Sequence, residues 1–313
     1  MSAAPARQEH PSGEQWTIRH GDLEATAVEV GGGLRVLTAG GLDVLAGYGA
    51  DEMASSGRGQ LLMPWPNRLR DGRYRFDGRD QQLALTEPAR GNASHGLVRW
   101  ALWSVLDRSE SALTVGYRLH PQQGWAGRLD LKVRYELSAT GLEVSTTVDN
   151  VGADRAPFGY GAHPYIALGD TSLSDVVLTV PAVEQVLVDD ERKLPTGTAP
   201  VEQDDHDFRR ARPLGSTRLD TAFTGLSRDD DGRWQVRVGG LVDRPDVTVW
   251  GDGAFGWVQV FTDKGEDHGV DGVRGVAVEP LSCPADAFNS GEGLVVLEPG
   301  QQWSGQWGLV VHR

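Results

Sequence analysis

The sequence predicts an all-β protein: one large domain of antiparallel strands with few short helices. Three observations predict it. Apolar and polar residues alternate with a period of two in several windows, the spacing of a strand with one wet face. Glycine numbers 41 and recurs between short apolar runs, about 13% of the chain and roughly twice usual usage, as expected of many turns. No window carries a long apolar stripe at helical spacing, and no strand–helix alternation of the kind a parallel sheet needs is present.

Residues 1–13 hold no apolar core of the kind a signal peptide needs and read as a disordered tail, leaving 14–313 as a single domain. Leu113, Val115, Tyr117 and Leu119 alternate with Thr114, Gly116, Arg118 and His120. Leu129, Leu131, Val133, Tyr135 and Leu137 oppose Asp130, Lys132, Arg134 and Glu136. Thr140-Gly141 offers a turn, and Leu142, Val144, Thr146 and Val148 resume the period, which makes a hairpin. Asp189 to Thr221, with three prolines and an acidic run, reads as a long surface excursion within the domain. Trp234, Val236 and Val238 share a face, as do Trp303, Trp307, Leu309 and Val311. No fixed-period repeat suggests a propeller.

The 313 residues carry 30 basic and 44 acidic side chains, a formal charge of −14. Nucleic acid and anionic membrane both need a basic footprint, so neither is an expected partner. The single cysteine, Cys283, excludes a disulfide framework and any multi-cysteine zinc site. No stretch approaches the roughly 18 uncharged apolar residues of a membrane span. A cytoplasmic protein is expected.

Four clusters bear chemistry. In Pro64-Trp65-Pro66-Asn67-Arg68 two prolines stiffen an extended run that ends on Asn67 and Arg68. Arg68 offers a planar fork of donors to sugar oxygens or a carboxylate; spacing alone favours a loop arginine paired with an acid. His95, before Gly96, can reach a ligand from a turn or simply be exposed. Gly159-Tyr160-Gly161-Ala162-His163-Pro164-Tyr165 sets a histidine between aromatics after two glycines, in a site or at a structural strand end. In Val276-Ala277-Val278-Glu279-Pro280 the valines take one face and Ala277 and Glu279 the other. A buried glutamate is costly unless paired or functional, and burial raises its pKa toward that of a general base near neutrality. Asp220 and Gln259 are polar residues inside apolar, strand-like runs, and Ala285-Asp286-Ala287-Phe288-Asn289 reads as a polar loop. Walker, Gly-x-Ser-x-Gly, His-Glu-x-x-His and Cys-x-x-Cys motifs are absent.

In this order the clusters resemble the aldose 1-epimerase (galactose mutarotase) family, from about Trp16 to the C-terminus. The resemblance implies a large antiparallel β-supersandwich. It implies that His163 is the acid and Glu279 the base, and that Arg68, His95, Asp220, Gln259 and the neighbouring Asn67 bind sugar. It also implies interconversion of the α and β anomers of free hexoses such as glucose and galactose, with no metal and no cofactor, by a monomer or homodimer. Departures are Gly-Leu-Val-Arg after His95 and Pro280 after Glu279, which bear on sugar specificity. For these roles Glu279 should ionise below the working pH and His163 near or above it. Two other readings stand beside this one. A hexose-6-phosphate 1-epimerase would use Arg70, Arg73, Arg75 and Arg99 for phosphate. A non-catalytic carbohydrate-binding domain would need no acid–base pair.

Overall fold

The computed structural model describes residues 10–262 and 274–312. Its regular structure is almost entirely strand. Among the described residues helix is confined to the single turn Ala287–Ser290 and the 3₁₀ turns Pro88–Arg90 and Leu173–Asp175. Two large antiparallel sheets dominate. A nine-stranded sheet runs from Ser104–Arg108 through Ala112–Leu119, Leu129–Ser138, Gly141–Asn150, Gln302–His312, Asp246–Gly251 and Trp234–Gly239 to Val177–Thr179 and Arg212–Pro213. An eight-stranded sheet runs from Pro195–Pro200 through Ala182–Val188, Asp220–Leu226, Trp257–Phe261 and Gly275–Leu281 to Gly161–Ala162 and Leu61–Leu62. Tyr165–Ala167 also pairs with Gly275–Leu281.

The period of two fixes which face each sheet buries. Leu131, Val133 and Tyr135 face Val148, Thr146 and Val144 across the predicted hairpin, and all six are buried. The turn is Ala139–Thr140, because Gly141 already pairs with Ser138. Gly141 adopts φ +148°, and a Cβ there would lie 1.9 Å from the Leu309 carbonyl oxygen of the next strand, so only glycine fits. From the other sheet, Val258, Val260, Val276 and Val278 join the same continuous buried cluster. Each such valine or leucine contributes about 1.5–3 kcal/mol on burial, and this shared core holds the two sheets as a sandwich.

Three expectations are modified. Residues 1–9 of the expected tail lie outside the described residues, but Ser12 is buried and its carbonyl accepts from the Val30 N–H at 3.0 Å. Packing therefore begins ahead of Glu14. The Asp189–Thr221 stretch is more than a surface excursion, since Pro195–Pro200 adds an edge strand and Val201, Phe208, Leu214 and Leu219 are buried in the core. The supposed polar loop after Glu279 holds the α-turn Ala287–Ser290. Its Phe288 packs edge-on against Trp65 and Tyr74, a contact that composition alone conceals.

Candidate active site

Three neighbouring strands make the floor of the site. Ala222 pairs with Gln259 and Gln259 with Glu279; Asp220 pairs with Phe261 and Phe261 with Ala277. The valines at 258, 260, 276 and 278 point to the core. Strand alternation therefore turns Gln259, Phe261 and Glu279 onto the opposite face, where they line a cleft of about 440 Å³. The Gln259 side-chain amide donates to Asp220 Oδ1 at 2.8 Å, which fixes both.

His163 enters from the side. Its backbone N–H donates to the Gln60 carbonyl at 3.1 Å, its own carbonyl accepts from Gly59 at 2.9 Å, and the Pro164 carbonyl accepts from Val278 at 3.1 Å. The imidazole stacks on Tyr165, 5.0 Å between centroids and nearly coplanar at 3°. Gly57 lies over its edge, where a Cβ would come within 2.7 Å of His163 Cδ2. The result is a fixed ring whose Nε2 lies 3.4 Å from Glu279 Oε1, both side chains under a tenth exposed.

The far wall comes from the Arg68–Arg70 and Asn92–Ser94 strand pair, in which Arg68 faces Ser94. Asn67 and His95, one at each margin, hold left-handed φ values of 52° and 61°. The His95 N–H donates to the Asn67 carbonyl at 2.8 Å. Such backbone costs of order 1–3 kcal/mol per residue and persists where the surroundings over-determine it. The Arg68 fork grips Glu87, Nε to Oε2 at 2.8 Å and Nη2 to Oε1 at 3.1 Å. Asp286 braces the strand from behind: its N–H donates to the Arg68 carbonyl and its Oδ1 accepts from the Arg70 N–H. The carboxy-terminal Ala-Asp-Ala-Phe-Asn run thus supports Arg68 rather than lining the cleft.

All seven predicted residues, Asn67, Arg68, His95, His163, Asp220, Gln259 and Glu279, line this one cleft. Of the four arginines considered for a phosphate, only Arg99 does. Arg70 pairs with Asp286, Arg75 with Asp80, and Arg73 donates to Gln82. Gln60, Glu87, Trp100 and Phe261 also line the cleft and carry no local sequence signal.

Electrostatics reverse the expected order of ionisation. Burial, and then the nearby Asp220, push Glu279 well above the usual carboxylate range, with Arg68 opposing. Burial, and then Arg99, push His163 down to about 3. Burial also holds His95 well below an ordinary histidine, with His163 next in effect. The expectation that Glu279 ionises below His163 overlooked that desolvation acts on both at once and favours each neutral form. Burial therefore favours the neutral form of each group, a protonated carboxyl beside an unprotonated imidazole. Glu279 Oε2 and the Nδ1 atoms of His163 and His95 are buried without a hydrogen-bond partner among the described residues, a costly state that a polar ligand would relieve.

Among the described residues no three His, Cys, Asp or Glu side chains converge as a metal site would require, and no helix is long and apolar enough to cross a membrane.

The chain is similar to known proteins over nearly its whole length. The family described as aldose 1-epimerase matches residues 14–309. The uncharacterized protein YihR of Escherichia coli K12 is 34% identical over 293 residues, 93% of this chain and 91% of that protein. The GalM/aldose epimerase homologue of C. elegans superposes with a TM-score of 0.83 at 19% identity, covering 96% of this chain and 99% of the other. A galactose mutarotase-like protein of Clostridium acetobutylicum does so at 0.82 and 18%, covering 95% and 94%. The chain belongs to the aldose 1-epimerase family.

Proposed function

We propose that the chain is an isomerase, an aldose 1-epimerase that interconverts the α and β anomers of free hexoses by acid–base ring opening. The observation that carries this reading is the His163–Glu279 pair: two proton-transfer groups 3.4 Å apart, buried in a cleft of sugar size. In a hemiacetal ring the hydroxyl oxygen O1 and the ring oxygen O5 sit on one carbon. Two groups this close can address both at once, which is the proximity general acid–base catalysis needs.

The pair holds one proton in either tautomer, so one member is always an acid and the other a base. In the working tautomer Glu279 is ionised and His163 protonated, reached by passing the proton across their contact. Glu279 takes the O1 proton, C1=O1 forms as the C1–O5 bond breaks, and His163 protonates O5. Rotation about C1–C2 presents the other face of the aldehyde, and the steps run in reverse. Asn67, Arg68, His95, Asp220 and Gln259 bind the sugar hydroxyls. A carbohydrate-binding role alone would leave the pair's burial, costly for both groups, without a use. The lone Cys283, buried and with its thiol pushed up to about 12 by desolvation, is inert, which suits a reducing cytoplasmic setting.

The test is polarimetry of freshly dissolved α-glucose and α-galactose with the purified protein. The reading predicts relaxation to the equilibrium rotation far faster than the buffer rate. An unchanged rate for every aldose tried would overturn it.

A further inference from the structure

The cleft does not end at Asp220. Asn67, Arg68, Asp220 and Gln259 also border a narrow recess of about 20 Å³. The strand order places it on the side away from His163. Gly275–Leu281 pairs with Tyr165–Ala167 on one flank and Trp257–Phe261 on the other, followed by Asp220–Leu226 and then Ala182–Val188. Roughly 10–15 Å³ of such space holds one water, so a single hydroxyl enters the recess and a second sugar ring does not. Its remaining walls are Val186, Val188, Pro195, Ala222, Ala285 and Lys193. Five of these six are apolar. Among the described residues Lys193 is therefore the one hydrogen-bonding side chain that the recess adds to the four it shares with the cleft.

The turn around Lys193 is built to hold it there. Its backbone takes a left-handed φ of 56°, a conformation side chains other than glycine rarely adopt. The Lys193 N–H donates to the Asp189 carbonyl at 3.0 Å, and the Asp189 carboxylate accepts from the N–H groups of Arg192 at 2.6 Å and Leu194 at 3.0 Å. Arg192 ties this turn to the far wall of the cleft. Its guanidinium donates to the Arg90 and Gly91 carbonyls at 3.0 and 2.8 Å and to Asn92 Oδ1 at 3.2 Å. Asn92 in turn pairs with Arg70, on the strand that carries Arg68. The Lys193 side chain is 22% exposed, and its ammonium meets Asp190 Oδ1 at 3.4 Å. Asp190 is fully exposed, and an ion pair with such a partner holds the ammonium weakly. An ammonium has three donors, which leaves capacity for a hydroxyl in the recess.

The epimerase reading sets the ring edge O5–C1 of a pyranose at His163 and Glu279. The opposite edge is C3–C4, which lies toward Asp220 and the recess when the ring rests over Gln259. We propose that Lys193 is a specificity-determining residue that donates to the C3 or C4 hydroxyl of the aldose. This rests on the epimerase reading for the placement of C1, but its own test is binding. Calorimetric titration of the full chain with glucose, 3-deoxyglucose and 4-deoxyglucose identifies the hydroxyl. The wild type should bind one deoxy sugar on the order of tenfold more weakly than glucose, the scale of a hydrogen bond to a charged donor. Lys193→Met keeps the length and removes the donors, so it should bring that ratio to near one. Lys193→Arg, which keeps charge and donors, should retain part of it. Thermal melts of each variant check folding. Equal binding of all three sugars by the wild type, binding of none, or a preference that survives K193M would overturn the proposal. A surviving preference in a protein that does accelerate mutarotation would remove Lys193 and leave the epimerase reading standing. A preference that vanishes in K193M, in a protein that accelerates mutarotation of none of the three sugars, would sustain the recess and remove the epimerase reading.

Discussion

Glu279→Gln separates the cost of the buried carboxyl from its use. The side chain is 4% exposed, one oxygen faces His163 at 3.4 Å and the other has no partner among the described residues. Glutamine fills the same volume, so no cavity forms, but the proton acceptor is gone. Turnover in polarimetry should fall at least about 100-fold, the scale of general base catalysis. Stability should move the other way. The folded-state pKa of Glu279 is raised, so its contribution is fully present below the unfolded value and is lost as pH rises toward the folded one. Across that interval the wild type loses up to about 1.4 kcal/mol per pH unit relative to E279Q. For a chain of this length that is roughly 1.5 °C in Tm per kcal/mol. Melting both proteins at several pH values from 4.5 to 8 should show the variant gaining steadily on the wild type. A folded E279Q with near-wild-type turnover would remove Glu279 from the mechanism. A variant that loses ground to the wild type as pH rises would show that the carboxyl is not held neutral.

Other predictions follow from the same geometry. The pair should keep one proton over a wide range, because its two groups are pushed in opposite directions. The pH–rate profile in stopped-flow polarimetry should then be a broad plateau rather than a narrow bell, and an acid limb centred near pH 6 would contradict this. His163, lowered to about 3, contributes stability that is present above the unfolded value near 6.5 and lost as pH falls toward 3. Wild type should therefore lose ground to His163→Asn in acid melts over that window. Glu87→Gln should free the Arg68 fork and raise KM several-fold with a smaller change in kcat; an unchanged KM would mean that Arg68 needs no such support. Exhaustive EDTA treatment should leave turnover unchanged, whereas loss restored by one divalent ion would show that the site is misread.

The parts of this protein legible in its sequence are those governed by strand period. The alternation at Leu129–Leu137 gave the hairpin within a residue, and the parity of Val276 and Val278 against Glu279 gave the face on which the carboxyl sits. All seven site residues fell at motif positions that the family resemblance picked out, and the cleft holds them together. What stayed hidden depends on distance in the chain. Glu87 meets Arg68 across 19 positions and has no motif of its own. Arg70, Arg73 and Arg75 look like a basic cluster beside the site until strand geometry turns them to other partners. Phe288 sits among polar letters yet packs on Trp65. The order of ionisation at His163 and Glu279 is hidden too, because it follows from shared burial, which residue types alone do not reveal.

The account stands or falls on whether His163 moves a proton or only binds. Asparagine at 163 still donates a hydrogen bond but cannot carry the proton. Calorimetric titration of His163→Asn with the best-turned-over aldose, run beside polarimetry on the same preparation, reads the two roles apart. The account predicts affinity within a few-fold of wild type and turnover lower by about 100-fold or more. Binding and turnover lost in equal proportion would make His163 a binding residue and leave the acid to be found elsewhere in the cleft, with His95 the next to examine.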